Sequence, residues 1–106
     1  MDITQIKNKI LSFADEGEKW IKSLAQEVYN NPEGGFTEEK CSALVRKAFD
    51  ELQIKYEYPV AVTGVKATLK GKSSNFNLCI IGEMDAIMSP DHPDVAKNCL
   101  VHACGH

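Results

Sequence analysis

Two histidines and a thiol crowd the last five residues, His102-Ala103-Cys104-Gly105-His106. Imidazole and thiolate are the commonest side-chain ligands of zinc and its first-row neighbours. Cys104 and His106 stand two positions apart, and residues at i and i+2 do not share a helix face. Both reach one ion only from a turn or an extended backbone. Gly105 between them permits such a turn, because glycine tolerates positive φ. His102 and His106, at i and i+4, would share a face in a helix, which Gly105 disfavours. The donor set suits zinc best among abundant metals, with manganese or cobalt as alternatives.

A second cluster lies upstream. Glu83-Met84-Asp85-Ala86 follows directly on an apolar run that Gly82 ends. Two carboxylates two residues apart on an extended backbone point the same way. In open α/β sheets, sites form where loops leave the carboxyl ends of strands. Glu83 and Asp85 therefore either bind a metal or hydrogen-bond a ligand histidine and raise its basicity; the plain alternative is a solvated turn. His92, beside Pro93, reads as a loop histidine. Cys41 and Cys79 fall inside apolar patterns, where reduced cysteine behaves as a small hydrophobe. Cys99 and Cys104 do not have Cys-x-x-Cys spacing, and no helix N-terminus stands by to lower either thiol pKa.

These residues need a scaffold. Ile6, Ile10, Phe13, Gly17, Trp20, Leu24 and Val28 recur at spacings of three and four, predicting one long helix. Asp2 with Gln5 has the pattern of a capping box. Asn30-Asn31-Pro32 stops the helix, since proline cannot continue it, and Gly34-Gly35 completes a loop. Thr37 is a candidate N-cap for a second helix, with Glu38 and Glu39 at the positive end of its dipole. Cys41, Leu44, Val45, Ala48, Phe49 and Leu52 then form a single apolar stripe.

From Ile54 the period changes to two. Ile54, Tyr56 and Tyr58 predict a half-buried strand, with Pro59 marking an edge or an end. Val65, Ala67 and Leu69 predict a second strand. Residues 76–81 carry the consecutive apolar run Leu78-Cys79-Ile80-Ile81, the pattern of a strand covered on both faces. Residues 88–100 read as loop. The expected fold is α/β, with two N-terminal helices packed on a mixed sheet. A doubly covered strand calls for more sheet and helix than residues 1–106 supply.

Composition narrows the function classes. The chain has 106 residues, a net charge of −3 and 43% hydrophobic residues, as expected of one soluble globular domain. No basic cluster favours nucleic acid or an anionic membrane. The N-terminus lacks the layout of a signal peptide, and no apolar run is long enough to span a bilayer. The expected compartment is the cytoplasm, where disulfides are rare.

Three pieces taken together resemble the N-terminal portion of M20-family metal-dependent amidohydrolases: Asn31-Pro32-Glu33-Gly34-Gly35-Phe36, Gly82-Glu83-Met84-Asp85-Ala86 and the final pentapeptide. The subgroup resembled includes aminobenzoyl-glutamate, N-acyl-amino-acid and indole-acetyl-amino-acid hydrolases. The likeness runs from about Trp20 to the end, and implies that residues 1–106 are the N-terminal part of a zinc-peptidase-like catalytic domain that is incomplete here.

The resemblance also implies roles. Cys104 and His106 match two metal ligands, and Asp85 matches the acid that orients a ligand. Glu83 occupies a position that is a ligand histidine in other branches, and His102 is an additional candidate. The implied cofactor is a divalent ion, zinc or manganese, with up to two per complete site. The implied reaction is metal-assisted hydrolysis of an amide in an N-acyl amino acid or small peptide. A Glu-Glu pair, further ligand histidines and an inserted lid or dimerisation domain would lie downstream, so the isolated chain is expected to be inactive. Two other readings stand beside this one. The first is a non-enzymatic metal-binding or self-associating module, in which an unfinished sheet edge invites another chain and makes a homo-oligomer. The second is a thiol redox protein using Cys99 and Cys104.

Overall fold

A computed structural model describes residues 1–73 and 75–105. Helix α1 spans Ile3–Asn30 and helix α2 Glu39–Glu51. Strands β1 (Tyr56–Val60) and β2 (Gly64–Ala67) pair antiparallel, as do β3 (Ile87–Met88) and β4 (Leu100–Val101). The α/β class holds, but the sheet is not mixed. Two separate two-stranded antiparallel ribbons replace it.

Each helix boundary has a local cause. The expected capping box forms at α1: Asp2 accepts from the Gln5 amide at 2.9 Å, and Gln5 accepts from the Asp2 amide at 2.9 Å. At the other end, Asn31 Nδ2 donates to the Glu27 carbonyl at 2.8 Å just before Pro32. Helix α2 starts differently from expectation. Its N-cap is Glu38, which makes no side-chain cap bond, and the Thr37 hydroxyl instead donates to the Gly34 carbonyl at 2.7 Å. Helix α2 ends in a Schellman motif. The Ile54 amide donates to the Phe49 carbonyl at 2.8 Å and the Gln53 amide to the Asp50 carbonyl at 3.0 Å. Gln53 takes the left-handed position, at φ 56°, that glycine usually fills.

The small core gathers around α2. Cys41 and Ala48 are buried on its stripe, and Leu44, Val45 and Phe49 are half-buried. Helix α2 packs against β2 and against α1, where Trp20 Nε1 donates to Glu51 at 3.0 Å. Phe49 meets Tyr56 with ring centroids 5.9 Å apart, and Arg46 sits 4.0 Å over the Tyr58 ring. The turn between β1 and β2 is anchored by Thr63, whose hydroxyl donates to the buried Glu38 carboxylate at 2.6 Å. Gly64 is required there, because a Cβ would stand 2.5 Å from the Val60 carbonyl oxygen.

Two expectations fail for one reason. Residues 76–81 form no strand and are not buried: Leu78 is 83% and Ile80 89% exposed. Cys79, expected inside, is likewise exposed. The apolar run encodes a strand with both faces covered, but each ribbon closes on its own partner and neither supplies a neighbour. Leu69, expected on the second strand, lies beyond β2 and is exposed. Helix α1 has no buried residue, and Ile6, Ile10 and Phe13 of its stripe all face solvent. No described helix is long and apolar enough to cross a membrane.

Candidate metal centre

The loop between the helices holds the candidate site in place. Glu33 is its hinge residue. Its carboxylate accepts from the Lys40 and Cys41 amides, both at 3.0 Å. These are orphan donors in the first turn of α2, and a carboxylate there also meets the positive end of the helix dipole. The Glu33 backbone carbonyl faces the other way and accepts from the Ala86 amide at 2.7 Å. One residue earlier, the Pro32 carbonyl accepts from Asn98 Nδ2 at 2.8 Å. Asn31-Pro32-Glu33-Gly34-Gly35-Phe36 therefore clamps three segments: the start of α2, the acidic Glu83-Met84-Asp85-Ala86 stretch and the end of the 89–99 loop.

That loop is more ordered than its sequence suggests. β3 and β4 pair Ile87 with Val101 and Met88 with Leu100, and the Ser89 amide extends the ladder by donating to Cys99 at 3.0 Å. Successive turns fill the interval, with the His92 Nδ1 accepting from the Asp94 amide at 3.1 Å. His92 is thus engaged in its own loop, as its sequence context suggests. The expectation of loop across 88–100 missed this hairpin because two-residue strands leave no periodicity to read.

The register brings the two clusters together. Asp85 lies two residues before Ile87, and Ala103 two residues after its partner Val101. The chain segments leaving the hairpin therefore run side by side. Glu83, Asp85, His102 and Cys104 line one cavity of about 180 Å³, floored by Ile87 and Val101. Val101 is 2% exposed, so the floor is fixed. Gly105 adopts φ 78°, the left-handed turn expected between Cys104 and His106. Cys104 is exposed, Asp85 and His102 are half-buried and Glu83 is exposed. The His102 Nε2 atom is buried without a hydrogen-bond partner among the described residues. His106, an expected ligand, lies outside the described residues.

A thiol, an imidazole with an orphaned nitrogen and two carboxylates around one cavity fit a borderline divalent ion in their chemistry. Among the described residues, however, no three His, Cys, Asp or Glu side chains converge closely enough to hold one. A larger open groove of about 300 Å³ lies beside the clamp loop, lined by Lys40, Lys97 and Asn98 among others. It brings no thiol or imidazole.

The other thiol in the fold is chemically quiet. Burial and the Glu33 and Glu38 carboxylates push Cys41 up to about 11, as befits a small hydrophobe. Burial works to raise Glu38 as well. The Thr63 hydroxyl and backbone hydrogen bonds around Phe36, Thr37 and Glu38 outweigh it and hold the carboxyl below its ordinary value.

Sequence reasoning missed the role of Glu33. The available signal was an acid placed shortly before a helix whose own N-cap position lacks a good capping residue.

The comparisons extend this geometry. The chain is 32% identical over 111 residues to IAA-amino acid hydrolase ILR1-like 2 of Arabidopsis thaliana, covering 99% of the chain. It is 29% identical to thermostable carboxypeptidase 2 of Saccharolobus solfataricus over its full length. Hippurate hydrolase of Campylobacter jejuni is 28% identical over 92% of the chain. The homologues of this chain are M20-family amidohydrolases. The chain spans about a quarter of the length of these relatives: 25%, 28% and 26% respectively. No family model and no solved structure matches it.

Proposed function

We propose that this chain supplies part of the metal centre of an amidohydrolase acting on an N-acyl amino acid or a small peptide. The observation that carries this reading is the convergence of Asp85, His102 and Cys104 on one cavity through the β3–β4 hairpin. Relatives named for hydrolysis of an amino-acid conjugate, of peptides and of hippurate agree on amide cleavage. Their names differ in substrate, so the proposal stops at the shared bond.

Cys104 and His106 would hold the ion, with the Gly105 turn bringing the two donors onto one side. When bound, a divalent ion polarises an amide carbonyl and acidifies a water. A thiolate donates more charge than a carboxylate and moderates that acidity. Asp85 would orient a ligand imidazole and raise its basicity. His102, with its Nε2 facing no partner among the described residues, is an additional candidate for the same carboxylate or the ion. Glu83, exposed at the rim, would add negative charge that favours a cation. None of these groups is placed as the general base, so the 106-residue chain is expected to be inactive on its own.

Equilibrium dialysis with zinc or manganese, followed by metal analysis, tests the assignment. Stoichiometric metal should bind the chain and be lost in Cys104→Ala. With cobalt, a thiolate charge-transfer band should appear and vanish in the same variant. Metal that survives the substitution sinks the ligand assignment. Turnover of an N-acyl amino acid by the purified chain would overturn the expectation of inactivity.

A further inference from the structure

Residues 76–82 form an exposed apolar segment that the site does not use. Phe76, Leu78, Ile80 and Ile81 are 78%, 83%, 89% and 81% exposed. The backbone of residues 76–82 lies outside any helix or strand and makes no hydrogen bond among the described residues. Aromatic and β-branched side chains without proline or charge are the signature of a segment that pairs as a strand. An uncovered run of this kind is a template for another chain.

We infer that residues 76–82 are a self-recognition strand through which two copies of this chain pair antiparallel. The charge pattern selects both the partner and the direction. Nothing from Ser73 to Gly82 is charged, so the segment meets its own copy without like-charge opposition. Lys70 and Lys72 precede the run and Glu83 and Asp85 follow it. Antiparallel pairing brings the basic end of each copy to the acidic end of the other, whereas parallel pairing would stack like on like. The apolar alternation sets the register. Centring the pair on Cys79 places Leu78 opposite Ile80 in both directions. Phe76, Leu78 and Ile80 of the two copies then share one face, as the two-residue period of a strand requires.

Sedimentation of the 106-residue chain over a range of concentrations tests this. A monomer–dimer equilibrium is expected, and Ile80→Lys should abolish it. Because Ile80 faces solvent, the far-ultraviolet circular dichroism of that variant should match the parent; Leu78→Lys gives a second, independent variant. With Cys99 and Cys104 replaced by serine, mild oxidation should yield a dimer linked through Cys79. A chain that stays monomeric at every concentration overturns the inference. So does a dimer that persists in both lysine variants, or oxidative cross-linking that leaves Cys79 free.

Discussion

The two helices carry equally regular apolar stripes, and only one is covered. Helix α2 buries Cys41, Ser42 and Ala48 against β2 and α1. Helix α1 is more than twice as long, 28 residues against 13, and buries none. Periodicity states which face of a helix is apolar; it does not state whether a partner exists. The two ribbons differ in the same way from the 76–82 segment. Short strands that close on a sequence neighbour form, whereas a longer run that needs a distant neighbour does not.

The sharpest way to break the contrast is a matched substitution on the two stripes. Ala48→Gln buries an amide and overfills the α2 core, and should cost about 2–3 kcal/mol. Ile10→Gln lies at a position 61% exposed and should change stability by no more than about 0.5 kcal/mol. Urea unfolding of both variants measures the difference. A comparable loss at Ile10 would show that the α1 stripe is covered in solution.

The start of α2 comes next. Glu33→Ala removes the acceptor for two first-turn amides and should cost about 1–2 kcal/mol. Helix content near α2 and the thermal midpoint report it.

Acid titration sharpens the same end of the helix. The folded pKa of Glu38 is depressed, so its contribution is fully present above the ordinary value of 4.5 and is lost as pH falls through the folded value. Thr63→Val removes a hydrogen bond to the charged form. The gap in unfolding midpoint between parent and variant should therefore be widest above that range and close in acid.

The smallest effect concerns the other end of α2. Gln53 occupies a left-handed position, so Gln53→Gly should stabilise by up to about 1 kcal/mol. Thermal unfolding checks the sign.

Much of this was legible in the sequence where the cause is local. The Asp2 and Gln5 pair, the stop before Pro32, the α2 stripe and the Gly105 turn each depend on residues within a few positions. The period-two pattern around Tyr56 and Val65 likewise found its hairpin. What escaped depends on contacts between distant positions. The β3–β4 pairing is too short to leave a pattern, and Glu33 reaches Cys41 and Ala86 only in the folded chain. The burial written into residues 76–81 was read correctly as a requirement, but no described element meets it. For the candidate site, Cys104, Asp85, Glu83 and His102 come to one cavity as the motifs implied, while three-fold convergence on an ion is not reached among the described residues.

The clamp loop has a consequence for tolerance to change in length. Surface loops ordinarily accept insertions. Here consecutive residues, Pro32 and Glu33, hold partners that are 66 and 53 positions away from them, Asn98 and Ala86. Adding one residue between them would displace one partner relative to the other by about 3.3–3.6 Å, more than a hydrogen bond can absorb. This connection therefore behaves as a fixed-length spacer, and the spacing between helix and site is set by counting residues.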